Sequence, residues 1–244
     1  MPDRLFDDPR LAGIYDALDA DRSDLDAYGA IVEECDATSV LDIGCGTGTF
    51  ACMLAQRGVE VIGVDPAGAS LDVARCKPGA DRVRWLHGDA TALPPLQVDL
   101  ATMTGNVAQV FLADDEWRST LHGIRDALRP GGRLVFETRD PAREAWRGWN
   151  ADQTLTHIQP SGVGPVRAWG DVLDVTAPFV TFRSTYVFEA DGAVLTSDST
   201  LRFRGEDEVA HTLAESGFVV DEIRDAPDRP GREFVFVASR GPEQ

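Results

Sequence analysis

Val40-Leu41-Asp42-Ile43-Gly44-Cys45-Gly46-Thr47-Gly48 is the stretch on which the fold turns. Residues 39–43 are a short apolar run and read as a buried strand. Glycines 44, 46 and 48 then allow a turn whose backbone can approach a ligand closely, with the following helix N-terminus facing the ligand's polar groups. The helix spans 49–57 and stops at Gly58, the left-handed position that commonly ends a helix. The glycine spacing matters. A dinucleotide-binding turn would place its third glycine at position 49, but Thr49 stands there and the glycine falls at 48. Asp42, two residues before the first glycine, opposes a pyrophosphate and suits a ligand bearing an amino group.

Outward from this turn, strand and helix alternate. Val59–Val64 reads as a second strand closed by Asp65-Pro66, with a helix near 68–75. Strand 83–86 runs into the turn His87-Gly88-Asp89-Ala90, and strand 98–103 follows. Asp114 caps a helix that runs to Leu128 and stops at Pro130-Gly131-Gly132, before a fifth strand at 133–138. This alternation predicts a doubly wound, mostly parallel α/β sheet covered on both faces. Upstream, residues 8–36 read as two short helices, the second opened by a capping box at Ser23–Asp26. Beyond Asp140-Pro141 the pattern changes. A helix carries Trp146 and Trp149, then three alternating runs near 166–176, 179–189 and 193–204 predict a small antiparallel insertion, with Asp191-Gly192 as a hairpin turn. Helix 206–216 and strands 218–224 and 233–238 return to the main sheet. The expected division is a helical cover at 1–36, an α/β core at 37–140, an insertion at 141–204 and a closing segment at 205–244, giving seven strands in the main sheet.

Charge narrows the function. The chain of 244 residues carries 23 basic and 41 acidic side chains, a formal net of −18, and Lys77 is the only lysine. Such a surface repels phosphate backbones and anionic membranes, so neither nucleic acid nor membrane is an expected partner. The N-terminus lacks the basic and apolar regions of a signal peptide, and no run reaches the roughly 18 apolar residues that span a bilayer. Cys35, Cys45, Cys52 and Cys76 form no C-x-x-C pair, and His87, His122, His157 and His211 are scattered, so no metal site is expected. These features predict free thiols and a cytoplasmic protein. Oligomeric state is not readable from them.

Over about residues 37–140 the sequence resembles the class I S-adenosylmethionine-dependent methyltransferases, whose Rossmann-like fold matches the predicted sheet. The resemblance implies S-adenosylmethionine as cofactor. Asp42 through Gly48, with Gly44, Cys45 and Gly46 at its centre, would hold the methionine end; Asp65, followed by Pro66, would take both ribose hydroxyls. Asp89 and Ala90 would hold the adenine, and Met103, Thr104, Asn106 and Gln109 would lie under the sulfonium. Tyr15, in the N-terminal helical cover, is a further candidate for the cofactor side. The reaction implied is in-line transfer of methyl to an oxygen or nitrogen of a small-molecule acceptor, in which positioning contributes more than a general base.

For acid–base work the candidates are His157, expected where the acceptor enters, Glu137 at the end of the fifth strand, and Asn106. Trp146, Trp149 and Trp169 read either as an aromatic wall for the acceptor or, better, as the seam between insertion and sheet. Arg183, Arg202 and Arg204 read as sites for an acidic acceptor group or as partners of nearby acids. Two other functions compete: a noncatalytic S-adenosylmethionine-binding protein and a nicotinamide-dependent oxidoreductase, the latter opposed by the glycine spacing. A nucleic-acid methyltransferase would need a basic face and an Asn/Asp-Pro-Pro-aromatic motif, where Thr104-Gly105-Asn106-Val107 stands instead.

Overall fold

The computed structural model describes residues 1–242. Its main sheet has seven strands: β1 (Ser39–Ile43), β2 (Glu60–Asp65), β3 (Val83–His87), β4 (Val98–Met103), β5 (Leu128–Arg139), β10 (Phe218–Asp225) and β11 (Glu233–Arg240), in the order β10-β11-β5-β4-β1-β2-β3. β1 pairs in parallel with β2 and β4, and β4 with β5, while β11 pairs antiparallel with both β5 and β10. The order therefore reverses direction at β1. Open α/β sheets bind ligands at such a switch point, beyond the carboxyl ends of the strands.

Period-two alternation divides the side chains between two layers. Leu41, Ile43, Met103 and Phe136 pack against α7 (Asp114–Ala127) and α8 (Glu206–Glu215) through Trp117, Leu121 and Leu213. Val40, Val61, Leu100 and Val235 face α4 (Asp24–Glu34) and α5 (Thr49–Gln56) through Leu25, Tyr28 and Phe50. Helix α6 (Gly68–Arg75) follows β2. The same alternation puts Asp42, Asp65, Glu137 and Glu233 on the second face, just where the strands end.

The insertion forms a second, antiparallel sheet, with β6 (Thr156–Ile158), β7 (Val166–Thr176), β8 (Phe179–Phe188) and β9 (Val194–Arg202) in that order. The N-terminal helices α1 (Arg4–Asp7), α2 (Pro9–Ala12) and α3 (Tyr15–Leu18) lie against its inner face, where Leu11 and Ile14 pack on Val166, Tyr186 and Phe188. The Leu5 N–H donates to Ser197 Oγ (2.9 Å) and Ser70 Oγ donates to the Phe6 carbonyl (2.7 Å), so this segment ties the insertion to α6.

Local details differ from the sequence reading. The N-terminal cover is three one-turn helices and α4, because Gly13 and Asp19 interrupt the run. Ser23 has helical backbone angles and makes no cap bond; helix α7 is capped at Ala113, whose N–H donates to Glu116. Pro130-Gly131-Gly132 lies within β5, at a break where pairing jumps from Val98–Leu128 to Leu100–Arg133. Glu144, with φ of +46°, splits the Trp146 region into short 3-10 turns, so no α-helix carries both tryptophans.

Candidate active site

The glycine turn is held open from beneath. Gly44 N–H (2.8 Å) and Cys45 N–H (3.2 Å) both donate to the Val64 carbonyl at the end of β2. A side chain at Gly44 would meet Val107 at 2.6 Å, and one at Gly48 would meet the Trp85 ring at 2.5 Å. Those two glycines are required by packing. Gly46 differs: its φ is +53°, yet a β-carbon there would meet nothing within 4 Å. The backbone at Gly46 thus borders open space that any side chain would enter. Cys45 Sγ lies against Gly63, so Cys45 turns its thiol toward the sheet, where burial pushes its pKa up.

Asp42 sits at the root of this turn and is 1% exposed. Its Oδ1 accepts from Thr102 Oγ1 (3.0 Å), whereas Oδ2 is buried with no partner among the described residues. Burial, with the nearby Asp65 charge, pushes its carboxyl up to about 7, against the opposing effect of the Thr102 bond. A buried acceptor without a donor is costly, and a cation placed beside it would relieve that cost.

Asp65 ends the neighbouring strand. Its Oδ2 accepts the Gly46 N–H and its Oδ1 the Ala67 N–H, both at 2.7 Å. Each oxygen keeps a second lone pair, so the carboxylate fixes the glycine turn and can still accept from a vicinal diol. Burial raises its pKa. Pro66 is exposed, and its carbonyl lies 3.0 Å from His87 Nε2, which gives His87 a structural role. Asp89 caps the turn at Ala90–Ala92 through the Thr91 N–H (2.8 Å). Ala90 is buried beneath Gly123 of α7, where any side chain would collide with its carbonyl.

The N-terminal cover is latched onto the turn. Asp16 of α3 accepts from Thr47 Oγ1 (2.6 Å) and pairs with Lys77 Nζ (2.7 Å), which also donates to Thr49 Oγ1 (2.6 Å). This carries the adjacent Tyr15 over the strand ends, packed on Phe6 and in electrostatic reach of Arg22 and Arg139, with burial raising its pKa.

On the other half of the sheet, three strands contribute to one polar cluster. Gly105 (2.7 Å) and Asn106 (3.0 Å) donate their N–H groups to Glu137 Oε1. Asn106 holds φ of +61°, and its Nδ2 contacts both carboxylate oxygens of Glu233 at 3.3 and 3.4 Å. Glu233 is also paired with Arg229 (2.7 Å) and Arg139 (3.5 Å), and Arg139 Nη1 donates to Gln109 Oε1 (2.9 Å). Burial, then the Glu233 charge, pushes Glu137 up to about 7, although its two N–H donors pull the other way. Burial lowers the Arg139 pKa.

The structure therefore brings Asp42, Gly44, Cys45, Gly46, Asp65 and Tyr15 together on one side, and Asn106, Gln109 and Glu137 on the other. Glu137 acts as the clamp of the Gly105–Asn106 loop. Met103 is a correction: its alternation puts its side chain in the α7 core, fully buried and turned from the face that carries Asp42 and Glu137. His157 is a second correction. It pairs with Arg167 and so lies on the exposed outer face of the insertion, opposite the face that packs on the N-terminal helices. Trp169, two residues from Arg167 in the same strand, shares that outer face. Trp146 packs edge-on to Phe203 (4.6 Å) and Trp149 to Phe182 (5.0 Å), both contacts within the insertion, and Trp149 also faces Arg139 of β5 at 5.6 Å.

The three arginines are likewise committed elsewhere. Arg183 pairs with Asp198 in the open, Arg202 with Asp114 and Glu208, and buried Arg204 donates to the Ala108 and Phe111 carbonyls. Sequence reasoning missed Glu233 and Arg229. A signal existed: in Glu233-Phe-Val-Phe-Val, the acid leads the buried face of a core strand.

Residues 40–132 match a family model described as a methyltransferase domain. The chain is 34% identical over 117 residues to the cypemycin N-terminal methyltransferase of a Streptomyces species, covering 48% of each chain. It is 34% identical over 124 residues to the malonyl-[acyl-carrier protein] O-methyltransferase of Methylococcus capsulatus, covering 49% of this chain and 44% of that one. Across such relatives the matched stretches span between 24% and 56% of the relative's own length. In three dimensions the chain is similar to an S-adenosylmethionine-dependent methyltransferase from Clostridium acetobutylicum, with a TM-score of 0.77 at 16% identity over 96% of this chain and 98% of that one. It is also similar to the sugar N-methyltransferase KedS8 of a Streptoalloteichus species, with a TM-score of 0.75 at 19% identity over 91% and 88%. These last two likenesses concern the fold. With its glycine turn and strand order, the chain carries a methyltransferase domain at residues 40–132 and shares the fold of class I S-adenosylmethionine-dependent methyltransferases.

Proposed function

We propose that this chain transfers a methyl group from S-adenosylmethionine to an oxygen or nitrogen of a small-molecule acceptor. One observation carries the reading: the buried, unpartnered Asp42 Oδ2 lies at the root of a turn whose Gly46 opens on free space. An amino-acid ammonium suits that oxygen, and a nucleoside whose ribose reaches Asp65 suits the neighbouring strand end. Asp89 and Ala90 then border the base. A dinucleotide pyrophosphate would instead bring negative charge to two buried carboxylates, which is unfavourable.

When bound, the sulfonium supplies an activated methyl carbon and a neutral thioether leaving group. The residues of this chain hold the two reactants. Glu137 clamps the Gly105–Asn106 loop, Asp16 and Lys77 fasten the cover over the cofactor side, and the insertion at 141–204 closes the acceptor side through Trp149. Fixing both partners in line contributes up to roughly 7–11 kcal/mol, so no dedicated base is required of the site. The acidic surface, with net charge −18, favours small acceptors over nucleic acid. All four cysteines are free, which agrees with a cytoplasmic setting. No helix among the described residues is long and apolar enough to cross a membrane.

The test is incubation with methyl-labelled S-adenosylmethionine and a deproteinised metabolite extract. Label should pass to a small, extractable product. Saturable cofactor binding without any labelled product would make the chain a noncatalytic binder.

A further inference from the structure

Asn106 is 3% exposed, in the left-handed backbone region, and its Oδ1 has no hydrogen-bond partner among the described residues. Each of these is unfavourable alone: a non-glycine residue with φ of +61° and a buried orphan acceptor. Strain of this kind persists only where surrounding groups impose it. Here they are identifiable. Glu137 Oε1 takes the Gly105 and Asn106 N–H groups and so fixes the backbone. Glu233 fixes the side chain. Its carboxylate oxygens, which also face the Arg229 and Arg139 guanidinium groups, act as acceptors, so the Asn106 group facing them at 3.3 and 3.4 Å is the NH2. The amide is thereby oriented with one outcome: Oδ1 turns away from Glu233 as an acceptor awaiting a donor.

The strand order says which ligand supplies it. Asp42 and Asp65 lie near the ends of β1 and β2 and Asp89 follows β3, whereas Asn106 follows β4 and Glu137 and Glu233 lie in β5 and β11, on the far side of the switch point. Arg139 connects this second group to Gln109 and to Trp149 at the edge of the insertion. Asn106 thus lies on the acceptor half of the site.

We infer that Asn106 Oδ1 receives an N–H or O–H of the methyl acceptor, with Glu233 as the positioning residue that fixes the amide. The inference rests on the methyltransferase reading above and narrows it: the acceptor is an amine or hydroxyl that still carries hydrogen at the reacting atom. In the step, a lone pair of that nitrogen or oxygen forms the new bond to the methyl carbon. The carbon–sulfur bond breaks with its electron pair passing to sulfur, and the proton leaves the acceptor atom for water. Asn106 aims the lone pair by holding the X–H bond and does not keep the proton. Fully substituted nitrogens, thioethers and carbon nucleophiles lack the hydrogen that this oxygen recognises.

The experiment uses the full chain, methyl-labelled S-adenosylmethionine and a deproteinised extract of the source cells; the labelled product is purified and its methylated atom assigned by NMR. Binding of S-adenosylhomocysteine is measured in parallel by calorimetry. Label on a nitrogen or oxygen that bore hydrogen is the expected result. Asn106→Gly, which keeps the left-handed backbone at no steric cost, should lower the rate at least tenfold while S-adenosylhomocysteine affinity stays within threefold. Glu233→Gln should lower kcat about fivefold or more with that affinity little changed, a split that loss of packing would not give. Label on carbon, sulfur or a fully substituted nitrogen overturns this inference alone, as does an Asn106→Gly enzyme of normal rate. Absence of any labelled product overturns the methyltransferase reading itself and this inference with it.

Discussion

Two residues set the character of the proposed cofactor side. Asp42 is buried with half of its carboxylate unpartnered, and its pKa is pushed up to about 7. A carboxyl raised in the folded state favours folding fully below its unfolded value near 4, and that contribution is lost as pH climbs toward 7. A bound ammonium reverses the balance by favouring the ionised form. Affinity for S-adenosylhomocysteine should therefore rise between pH 6 and pH 8, by up to about tenfold per unit below 7, with protons released on binding. Calorimetry in buffers of different ionisation enthalpy measures both; Asp42→Asn should bind weakly and lose the pH dependence. Gly46 supplies the complementary test. A Gly46→Val side chain would enter the space its backbone borders and would strain a φ of +53°. Circular dichroism should show a retained fold, with S-adenosylhomocysteine affinity down at least a hundredfold. Normal binding would remove the turn from the site.

Among the elements, the N-terminal cover is joined to the glycine turn by one small polar cluster. The sole lysine, Lys77, sits between Asp16, Thr47 and Thr49, so the helix carrying Tyr15 is fastened to the start of α5. Lys77→Met or Asp16→Ala should leave the sheet intact, hasten proteolysis within the first 20 or so residues, and weaken S-adenosylhomocysteine binding about tenfold, the value of one charge-assisted hydrogen bond. Unchanged protection and affinity would show the latch to be ornamental. This scale also shows what sequence can and cannot convey. β4 was readable to the residue, because an apolar run between turn signals depends only on its neighbours. The face of β6 was not. A strand of three residues flips every side chain with a one-residue shift of register, and the pairing of His157 with Arg167 sends His157 outward. The cluster of Asn106, Glu137 and Glu233 escaped for a related reason: its members are brought together by β11 pairing antiparallel beside β5, with Val235 opposite Glu137.

For the whole molecule, order of motifs proved more informative than any motif alone. The glycine turn, the acid ending β2 and the turn after β3 could each be a structural feature; their succession at consecutive strand ends pointed to the fold and to the cofactor half of the proposed site. The proposed acceptor half depends on contacts between distant segments that only the assembled strands bring together. Net charge acts at this scale too. A chain with −18 charges repels itself in the compact state, and salt screens that repulsion over a Debye length of about 10 Å at 0.1 M. Raising NaCl from 0.05 to 0.5 M should raise the melting temperature by about 2–4 °C for each kcal/mol of repulsion relieved, as followed by calorimetry. A flat response would mean that the many arginine–carboxylate pairs already neutralise the surface locally. The most direct test of the account is titration of the purified chain with S-adenosylhomocysteine and, separately, with NAD. S-adenosylhomocysteine should bind at one site per chain, and Asp65→Ala should weaken it by roughly 1.5–3 kcal/mol for each charge-assisted hydrogen bond lost; saturable binding of NAD with no response to S-adenosylhomocysteine would contradict it.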